Sequence, residues 1–363
     1  MLAVKGGSTN LKRAIRLYRA SILVLCGLQL AFLAPDRSMA AAAEQAPKIE
    51  TKDMKTIFAE RKALFDEVSG ITGIPWIYLA AIDQYERTLT IANPKTRTRQ
   101  PGLIGIYYSE LEWAGFANPN SADTNPASIA LFGGKGKDGS GDGVADRNSD
   151  LDALSTMASF LLQYGKGIDN LKLALWNYYH NARSVERIEQ FIKIYDTYGR
   201  IDLHEHAFPL PLGAEYSYRS TWGASRGWGG HRIHEGSDIF AGYGVPVRST
   251  CYCIVEIKGW NPYGGWRVGL RDLNNVYHYY AHLQGFEKTL QQGNVVKPGQ
   301  VLGWVGSSGY GKPGTQGKFP PHLHFGLYRD NGKREWSFDP YPYLKKWERE
   351  ERLRKEKKSG QGG

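Results

Sequence analysis

Two prolines, Pro209 and Pro211, divide this chain of 363 residues into two parts of different character. No helix can cross the segment 207–212, because proline lacks the backbone N–H and clashes with the preceding helical turn. Before this segment, apolar residues recur at helical spacing. After it, short β-rich runs are separated by glycine turns at intervals of about 8–12 residues. We therefore expect an α+β protein, with a mainly helical domain at 52–202 and an antiparallel β-sheet domain at 207–343.

The N-terminus has the order of an export signal, in which a basic segment precedes an apolar run and then small residues. The apolar run extends from Ala20 to Ala34, and Ser38, Met39 and Ala40 follow it. It is short for a membrane span, which needs about 20 apolar residues. We expect residues 1–40 to direct export, either as a cleaved signal peptide or as a membrane anchor. A low-complexity spacer follows at 41–51.

The net charge of +10 is located almost entirely at the two ends of the chain. Residues 1–19 carry five basic residues and no acidic one, and residues 345–363 carry eight basic and four acidic residues. The region between them is therefore close to neutral, which argues against nucleic acid as a partner. Residues 344–363 are predicted to form a charged tail, either helical or disordered.

Cys251 and Cys253 are the two cysteines of the exported body. On an extended strand, residues two apart have Cα atoms about 6.6 Å apart, at the long edge of disulfide geometry. We therefore expect two buried thiols, although an exported protein can form disulfides.

Histidines and a carboxylate occur in three groups that suit a zinc site. His234 and Asp238 are four residues apart, His322 and His324 lie on the same face of a predicted strand, and His282 stands alone. A catalytic zinc takes three nitrogen or oxygen ligands from the protein and keeps one position for water. A histidine pair at this spacing is also a common packing pair between strands. The prediction of a zinc site therefore rests on the three groups taken together.

Four segments in the β-rich part resemble the lysostaphin/LytM-type zinc endopeptidases, which cut peptide bonds in bacterial peptidoglycan. They are His-Arg-Ile-His-Glu-Gly-Ser-Asp-Ile at 231–239, Tyr-Ala-His-Leu at 280–283, the Val-Lys-Pro-Gly-Gln run at 296–309 and His-Leu-His-Phe-Gly at 322–326. The long segment 310–321 departs from the family pattern.

This resemblance implies that His234, Asp238 and His324 hold Zn²⁺. It also implies that His282 and His322 line the open position and act as general acid and base, in an order that the sequence leaves open. Unperturbed histidine titrates near pH ~6.5, which suits proton transfer in both directions. Of the remaining histidines, we expect His278 to face away from this group.

We expect His231 to lie at the rim of the site. It is close to the motifs in sequence but outside their pattern.

The helical part resembles the lysozyme-like lytic transglycosylases at 75–86, 102–106 and 175–179. Glu86 occupies the place of the catalytic acid, but Arg87 follows where the family has serine. An adjacent guanidinium favours the ionised carboxylate, which is wrong for a proton donor. We therefore expect Glu86 to be ion-paired or on the helix surface, and this domain to bind glycan strands through exposed aromatic rings. These are Tyr85, Tyr107, Tyr108, Trp113 and Trp176.

A glycine-rich loop offers oxygen donors at the spacing of calcium loops, with Asp138, Ser140 and Asp142 in the first three positions. Ser149 stands where the standard loop has glutamate, and Asp152 is placed to close an expanded version. We expect either a Ca²⁺ site at Asp138, Ser140, Asp142 and Asp152 or a polar turn in which Asp152 caps the following helix.

The chain as a whole resembles the sporulation L-Ala–D-Glu endopeptidases of the LytH type. The resemblance implies a zinc endopeptidase that acts on peptidoglycan, contacting its stem peptides and glycan strands, in the cell wall or after secretion. The alternative is a catalytically silent wall-binding or activator protein. Silent proteins of this fold lose one or more of the five site residues, whereas all five are present here.

Overall fold

A computed structural model describes residues 53–95, 97, 102–226 and 232–360. The segment expected to direct export, the expected spacer and His231 lie outside this part of the chain. Among the helices within it, none is long and apolar enough to cross a membrane.

In the described part of the chain, seven helices precede the proline-rich segment, which confirms the mainly helical character that the apolar spacing predicted, and one helix follows the sheet. They are α1 Met54–Thr72, α2 Trp76–Ala92, α3 Glu110–Ala114, α4 Pro126–Leu131, α5 Asp150–Leu162, α6 Ile168–Tyr179, α7 Ala182–Tyr198 and α8 Tyr341–Gly360. The helix ends follow local rules. The Asp53 side chain accepts a hydrogen bond from the Thr56 amide at 2.7 Å and so caps α1.

The predicted antiparallel sheet is confirmed; the described residues form ten strands in one sheet and a separate pair, β2 and β3. The strands are β1 Tyr216–Tyr218, β2 Ser225–Arg226, β3 Arg232–Ile233, β4 Ser237–Ala241, β5 Pro246–Arg248, β6 Cys253–Asn261, β7 Gly265–Asp272, β8 Val276–Phe286, β9 Val295–Val296, β10 Val301–Val305, β11 His322–Asp330 and β12 Glu335–Phe338. The central order is β1-β4-β11-β8-β7-β6-β9. β12 pairs with β11, and β10 pairs with both β5 and β8.

The two faces of this sheet differ in chemistry. Successive side chains of a strand point to opposite faces, and one face packs into an apolar core through Ile239, Val268, Tyr280 and Phe325. The neighbouring residues along the strands therefore lie on the other face, where the polar site is found.

The helical and β-rich parts share apolar surface and ion pairs. Tyr252, Ile254 and Leu273 come from the β-rich part but pack into the hydrophobic cluster of the helices. Arg187 of α7 forms an ion pair with Glu256 of β6 at 2.6 Å. Residues 53–360 of the described chain therefore belong to one compact unit, Lys52–Gly363.

The proline-containing segment 207–212 and the segment expected to be a charged tail both pack against the sheet. Phe208 and Leu210 are fully buried in its core. Helix α8 buries Leu344 and Trp347, and its Glu351 pairs with Arg248 at 3.0 Å. The helical alternative for the tail is the one that the structure has.

The expectation of two free thiols is wrong, because Cys251 and Cys253 form a disulfide. The reason lies in the backbone. Strand β6 begins only at Cys253, and the chain before it bends, so the Cα atoms are 5.6 Å apart. That separation lies in the ordinary disulfide range.

Candidate metal centre and catalytic cleft

Strand pairing brings the three expected zinc ligands together on one side of the sheet. His324 of β11 is directly opposite Asp238 of β4 in the antiparallel register. His234 precedes β4 in a turn whose backbone is held by Gly223 and Ala224, each through a hydrogen bond of 2.8 Å. Residues far apart in sequence therefore converge because of the sheet register.

The donor atoms of these three residues surround a common point. Asp238 Oδ1 lies 3.1 Å from His234 Nε2 and 3.0 Å from His324 Nδ1, and the two ring nitrogens are 2.9 Å apart. Ligands in a tetrahedral zinc shell with bonds of about 2.0–2.1 Å lie about 3.3 Å from one another. The set therefore has the chemistry and the spacing that zinc requires.

The tautomer of His234 is fixed by a hydrogen bond behind the ring. Its Nδ1 lies 2.9 Å from the backbone carbonyl oxygen of Thr221, which can only accept. Nδ1 therefore carries the proton, and the lone pair of Nε2 points toward Asp238 and His324. Metal-ligating histidines commonly have such a partner, which orients the ring.

Asp238 is an ionised carboxylate in this arrangement. Burial opposes its ionisation, but the neighbouring imidazoles of His234 and His324 outweigh that effect and hold the pKa of the Asp238 carboxyl far below its usual range. An anionic oxygen between two imidazoles is the state that a metal ligand needs.

His282 and His322 lie beside this centre with matching hydrogen bonds. Their ring centroids are 4.8 Å apart, and His322 Nε2 lies 3.8 Å from Asp238 Oδ1. The Nδ1 atoms are each 2.8 Å from a backbone carbonyl oxygen, of Ser308 and Pro320 respectively. Each ring thus keeps its proton on Nδ1 and a lone pair on Nε2. Burial, reinforced by His324 and His322, lowers the pKa of His282 to about 3.

A β-bulge places His282 in the site. Two pairs of the β7–β8 register, Trp266 with Leu283 and Val268 with Tyr280, enclose one more residue on β8 than on β7. His282 occupies this bulge with a φ of 65°, in the left-handed region that non-glycine residues seldom adopt. Regular alternation would direct it to the core side, as it does Tyr280.

A cleft of about 510 Å³ opens over the centre and contains residues that the sequence analysis missed. For Arg267, Tyr277, Tyr279 and Tyr328 the sequence signal is the alternation along β7, β8 and β11, whereas Tyr310 lies in the loop before β11 and Glu335 on β12. The lining includes Arg267, Tyr277, Tyr279, Tyr310, Tyr328 and Glu335 besides the histidines.

His278 faces away from the cleft, as expected. It is buried on the core side, where Nδ1 lies 2.8 Å from Thr250 Oγ1 and Nε2 lies 3.3 Å from Asp272 Oδ2. Its ring stacks on Trp347 with centroids 5.9 Å apart.

Glu86 is buried and ion-paired, so the ion-paired alternative is confirmed and the surface position is wrong. Arg97 forms an ion pair with it, and Tyr179 donates a hydrogen bond at 2.7 Å. Arg87 instead pairs with Asp83 at 3.0 Å, because residues four apart share a helix face. Burial raises the pKa of Glu86 in spite of Arg97. The lysozyme-like character of this part stays a prediction.

The set of exposed aromatic rings proposed for glycan binding is mostly wrong. Tyr85, Tyr108 and Trp113 are buried in the helical core, while Trp176 is 48% exposed. Helical spacing alone did not distinguish the inward from the outward positions.

The expected Ca²⁺ site at Asp138, Ser140, Asp142 and Asp152 is not supported. Asp152 Oδ1 accepts the amides of Gly139 and Ser140, both at 2.9 Å, and its Oδ2 accepts the Asp146 amide. Asp138 likewise accepts backbone amides of the loop. The carboxylates hold the turn together by hydrogen bonds, and Ser149 caps α5.

Comparison with known proteins bears directly on the β-rich part. The sequence model of peptidase family M23 matches residues 232–337, a range that contains all five residues of the centre. The L-Ala–D-Glu endopeptidase of Bacillus subtilis (strain 168) is 55% identical over 299 residues, which are 82% of this chain and 91% of that protein.

More distant proteins match the same region. Lysostaphin of Staphylococcus staphylolyticus is 35% identical over 115 residues, 31% of this chain and 22% of that protein. A solved structure of a putative glycyl-glycine endopeptidase lytM from Ruminococcus gnavus is 32% identical, with a TM-score of 0.36. The match covers 52% of this chain and 85% of the chain in the solved structure.

Proposed function

Because this chain belongs to peptidase family M23, we propose that it is a zinc-dependent enzyme that hydrolyses the L-Ala–D-Glu bond of peptidoglycan stem peptides. Its general class, a peptidoglycan endopeptidase, follows from the family and from the 55% identical relative. The observation that carries the proposal is the convergence of His234, Asp238 and His324 beside two further imidazoles in an open cleft.

His234, Asp238 and His324 are the residues that would hold the zinc ion on which the family depends. When bound, zinc polarises a carbonyl group and lowers the pKa of water to about 7. The protein supplies the ring orientation through Thr221 and the anionic charge through Asp238. With these two supports the ligands are ordered before substrate arrives.

His282 and His322 would move the protons of the reaction. Hydrolysis of a peptide bond needs a group that takes a proton from the attacking water and a group that gives one to the leaving amine. The Nε2 atoms carry the lone pairs, since each Nδ1 proton is directed to a carbonyl oxygen. The geometry is alike for both rings, so the assignment of base and acid is left to kinetics.

The choice of bond is supported by the relative named an L-Ala–D-Glu endopeptidase, which is similar along almost its whole length. An exported location belongs to the same proposal. Peptidoglycan lies outside the membrane, and residues 1–40 have the order of an export signal.

The test is digestion of purified peptidoglycan followed by identification of the new amino termini. We expect D-Glu amino termini with the zinc-loaded chain and none after chelation. His234→Ala should lose both zinc and cleavage, while His204→Ala, an exposed histidine of the helical part, should keep both. Different amino termini would refute the bond choice, and full turnover without bound metal would refute zinc dependence.

A further inference from the structure

One arginine of the cleft has no acidic partner in the described part of the chain. Arg267 lies on β7 next to the core residue Val268, so it belongs to the polar face of the sheet, and it lines the cleft. Its Nε atom is buried and has no hydrogen-bond partner. A buried N–H group without an acceptor costs free energy, because it has lost its hydrogen bond to water and has gained no other.

The other charged residues of the cleft are already engaged. Glu335 of the cleft lining pairs at 2.8 Å with Arg271 of β7, which also pairs with Glu256 at 3.1 Å. Glu235 accepts a hydrogen bond from the Tyr328 hydroxyl at 3.5 Å. Among the described residues that line the cleft, Arg267 is therefore the cation that remains available to a ligand, with the Tyr277 and Tyr279 hydroxyl groups near it.

The chemistry of Arg267 fits a carboxylate. The guanidinium group offers Nε–H and Nη–H donors side by side, which match the two oxygens of a carboxylate, and partial burial strengthens the pairing. Arg267 is on β7 and His324 on β11, with β8 between them. Strands are spaced by about 4.8 Å, so the two backbones are roughly 10 Å apart. The long side chain of Arg267 extends over the polar face of the sheet, so its guanidinium group can reach a carboxylate on the residue next to the scissile bond.

The proposed substrate carries such a group. A D-Glu residue joined to L-Ala through its amino group has two carboxyl groups, and the stem peptide continues through one of them. The other remains free on the residue that follows the scissile bond. We infer that Arg267 is the specificity-determining residue that binds this free carboxylate. The inference rests on the proposed L-Ala–D-Glu bond choice and extends it to the ionisation state of the substrate.

The experiment uses two synthetic stem peptides that differ only in this group, a carboxylate in one and a carboxamide in the other. The wild-type enzyme should prefer the carboxylate peptide by about 10- to 100-fold in kcat/KM, the range for one hydrogen bond to a charged group. Arg267→Gln should remove the preference by slowing cleavage of the carboxylate peptide alone. Arg267→Lys should keep part of it, because it retains the charge without the paired donors.

Binding of the D-Glu-terminated product gives a readout that is independent of turnover. Its Kd should rise by a similar factor in Arg267→Gln, with zinc content and unfolding midpoint unchanged. Arg329→Gln is the matched control, since Arg329 lies on β11 but does not line the cleft. It should behave as wild type.

Two failures can be told apart. Equal cleavage of both peptides by the wild-type enzyme, or an equal loss on both peptides in Arg267→Gln, would overturn the role of Arg267 and leave the bond choice intact. If the wild-type enzyme cuts peptidoglycan elsewhere and neither peptide at L-Ala–D-Glu, the bond choice fails and the role of Arg267 fails with it.

Discussion

At the scale of single residues, Gly236 makes room for the ring of His324, one of the three proposed zinc ligands. A Cβ atom on Gly236 would lie 2.6 Å from His324 Cε1 and 2.7 Å from its Nε2, far inside van der Waals contact. Gly236→Ala should therefore displace the His324 ring and weaken zinc binding, by about 10- to 100-fold as for other changes around metal ligands. Titration with a chromophoric zinc chelator measures this.

Gly242→Ala is the control for that experiment. Gly242 follows β4, and a Cβ there would meet no atom within 4 Å. Its zinc affinity should match the wild type. Unchanged affinity in Gly236→Ala would mean that His324 is not a ligand or that its ring can move without cost.

His282 should serve the reaction rather than the metal. It lies next to the three-ligand set but is not part of it. His282→Ala should keep stoichiometric zinc while kcat falls by about 10²–10⁴-fold, the range for general acid–base catalysis. Metal analysis and stem-peptide kinetics on the same sample check this. Loss of zinc in parallel with activity would make His282 a ligand.

The residues of the centre could be predicted because each stands in its own short motif with a donor type that zinc accepts. Their convergence could not, since it depends on the register of β4 against β11. The bulge at His282 left no mark in the sequence, and strict alternation would have turned this residue to the core side. The sequence analysis also expected the adjacent Arg87 to act on Glu86, but the ion-pair partner of Glu86 is Arg97.

At the scale of elements, α8 is part of the fold of the sheet rather than an appendage. Trp347 is 4% exposed and contacts His206, His278 and Phe325. Trp347→Ala should lower the free energy of unfolding by about 3–5 kcal/mol, the usual cost of removing a buried aromatic side chain. Leu353→Ala on the exposed side of α8, where the side chain is 49% exposed, should change it little. Urea unfolding compares the two variants, and equal midpoints would contradict the packing.

The same packing makes stability depend on pH. His206 stacks on Trp347 with centroids 5.0 Å apart, and burial lowers the pKa of His206 to about 4 from 6.5. Between these values the unfolded chain binds the proton and the folded chain does not. This contribution is therefore present above pH ~6.5 and is lost as the pH falls toward 4, by about 2–3 kcal/mol. Urea unfolding at pH 7 and 4.5 should show a smaller loss in His206→Gln, and parallel losses would refute the assignment.

The elements themselves could largely be predicted, because helical spacing and alternation are local properties. Burial of the segment 207–212 could not be predicted from its prolines, which exclude a helix but say nothing about packing. Phe208 and Leu210 enter the core because the segment lies along β5, where Pro209 accepts a hydrogen bond from the Arg248 amide at 2.8 Å.

At the scale of the whole molecule, a charge network joins the helical part to the cleft. Glu256 stands between Arg187 of α7 and Arg271 of β7, and Arg271 continues to Glu335 in the cleft lining. Burial disfavours the charge of Glu256, but Arg271 and Arg187 outweigh this and lower the pKa of its carboxyl. Glu256→Gln leaves two largely buried guanidinium groups without their shared anion. It should cost about 3–5 kcal/mol of the free energy of unfolding.

The surface pair Lys172–Glu189 provides the comparison. Its side chains are 45% and 34% exposed and the charges are screened by solvent, so Glu189→Gln should change the free energy of unfolding little. Guanidinium unfolding measures both variants. Similar losses in the two would show that the buried network contributes no more to stability than an exposed ion pair.

The apolar contribution of Tyr252, Ile254 and Leu273 to the helical cluster also bears on protein engineering. Enzymes that cut cell walls are often rebuilt by fusing a catalytic segment to a new targeting segment. Excision at residue 207 would uncover these three side chains and separate Glu256 from Arg187. A fusion partner grafted here would need to supply an apolar face and a cation in their place. The segment to transfer into a fusion protein is therefore the whole of residues 53–360, which includes both the β-rich part and the helices.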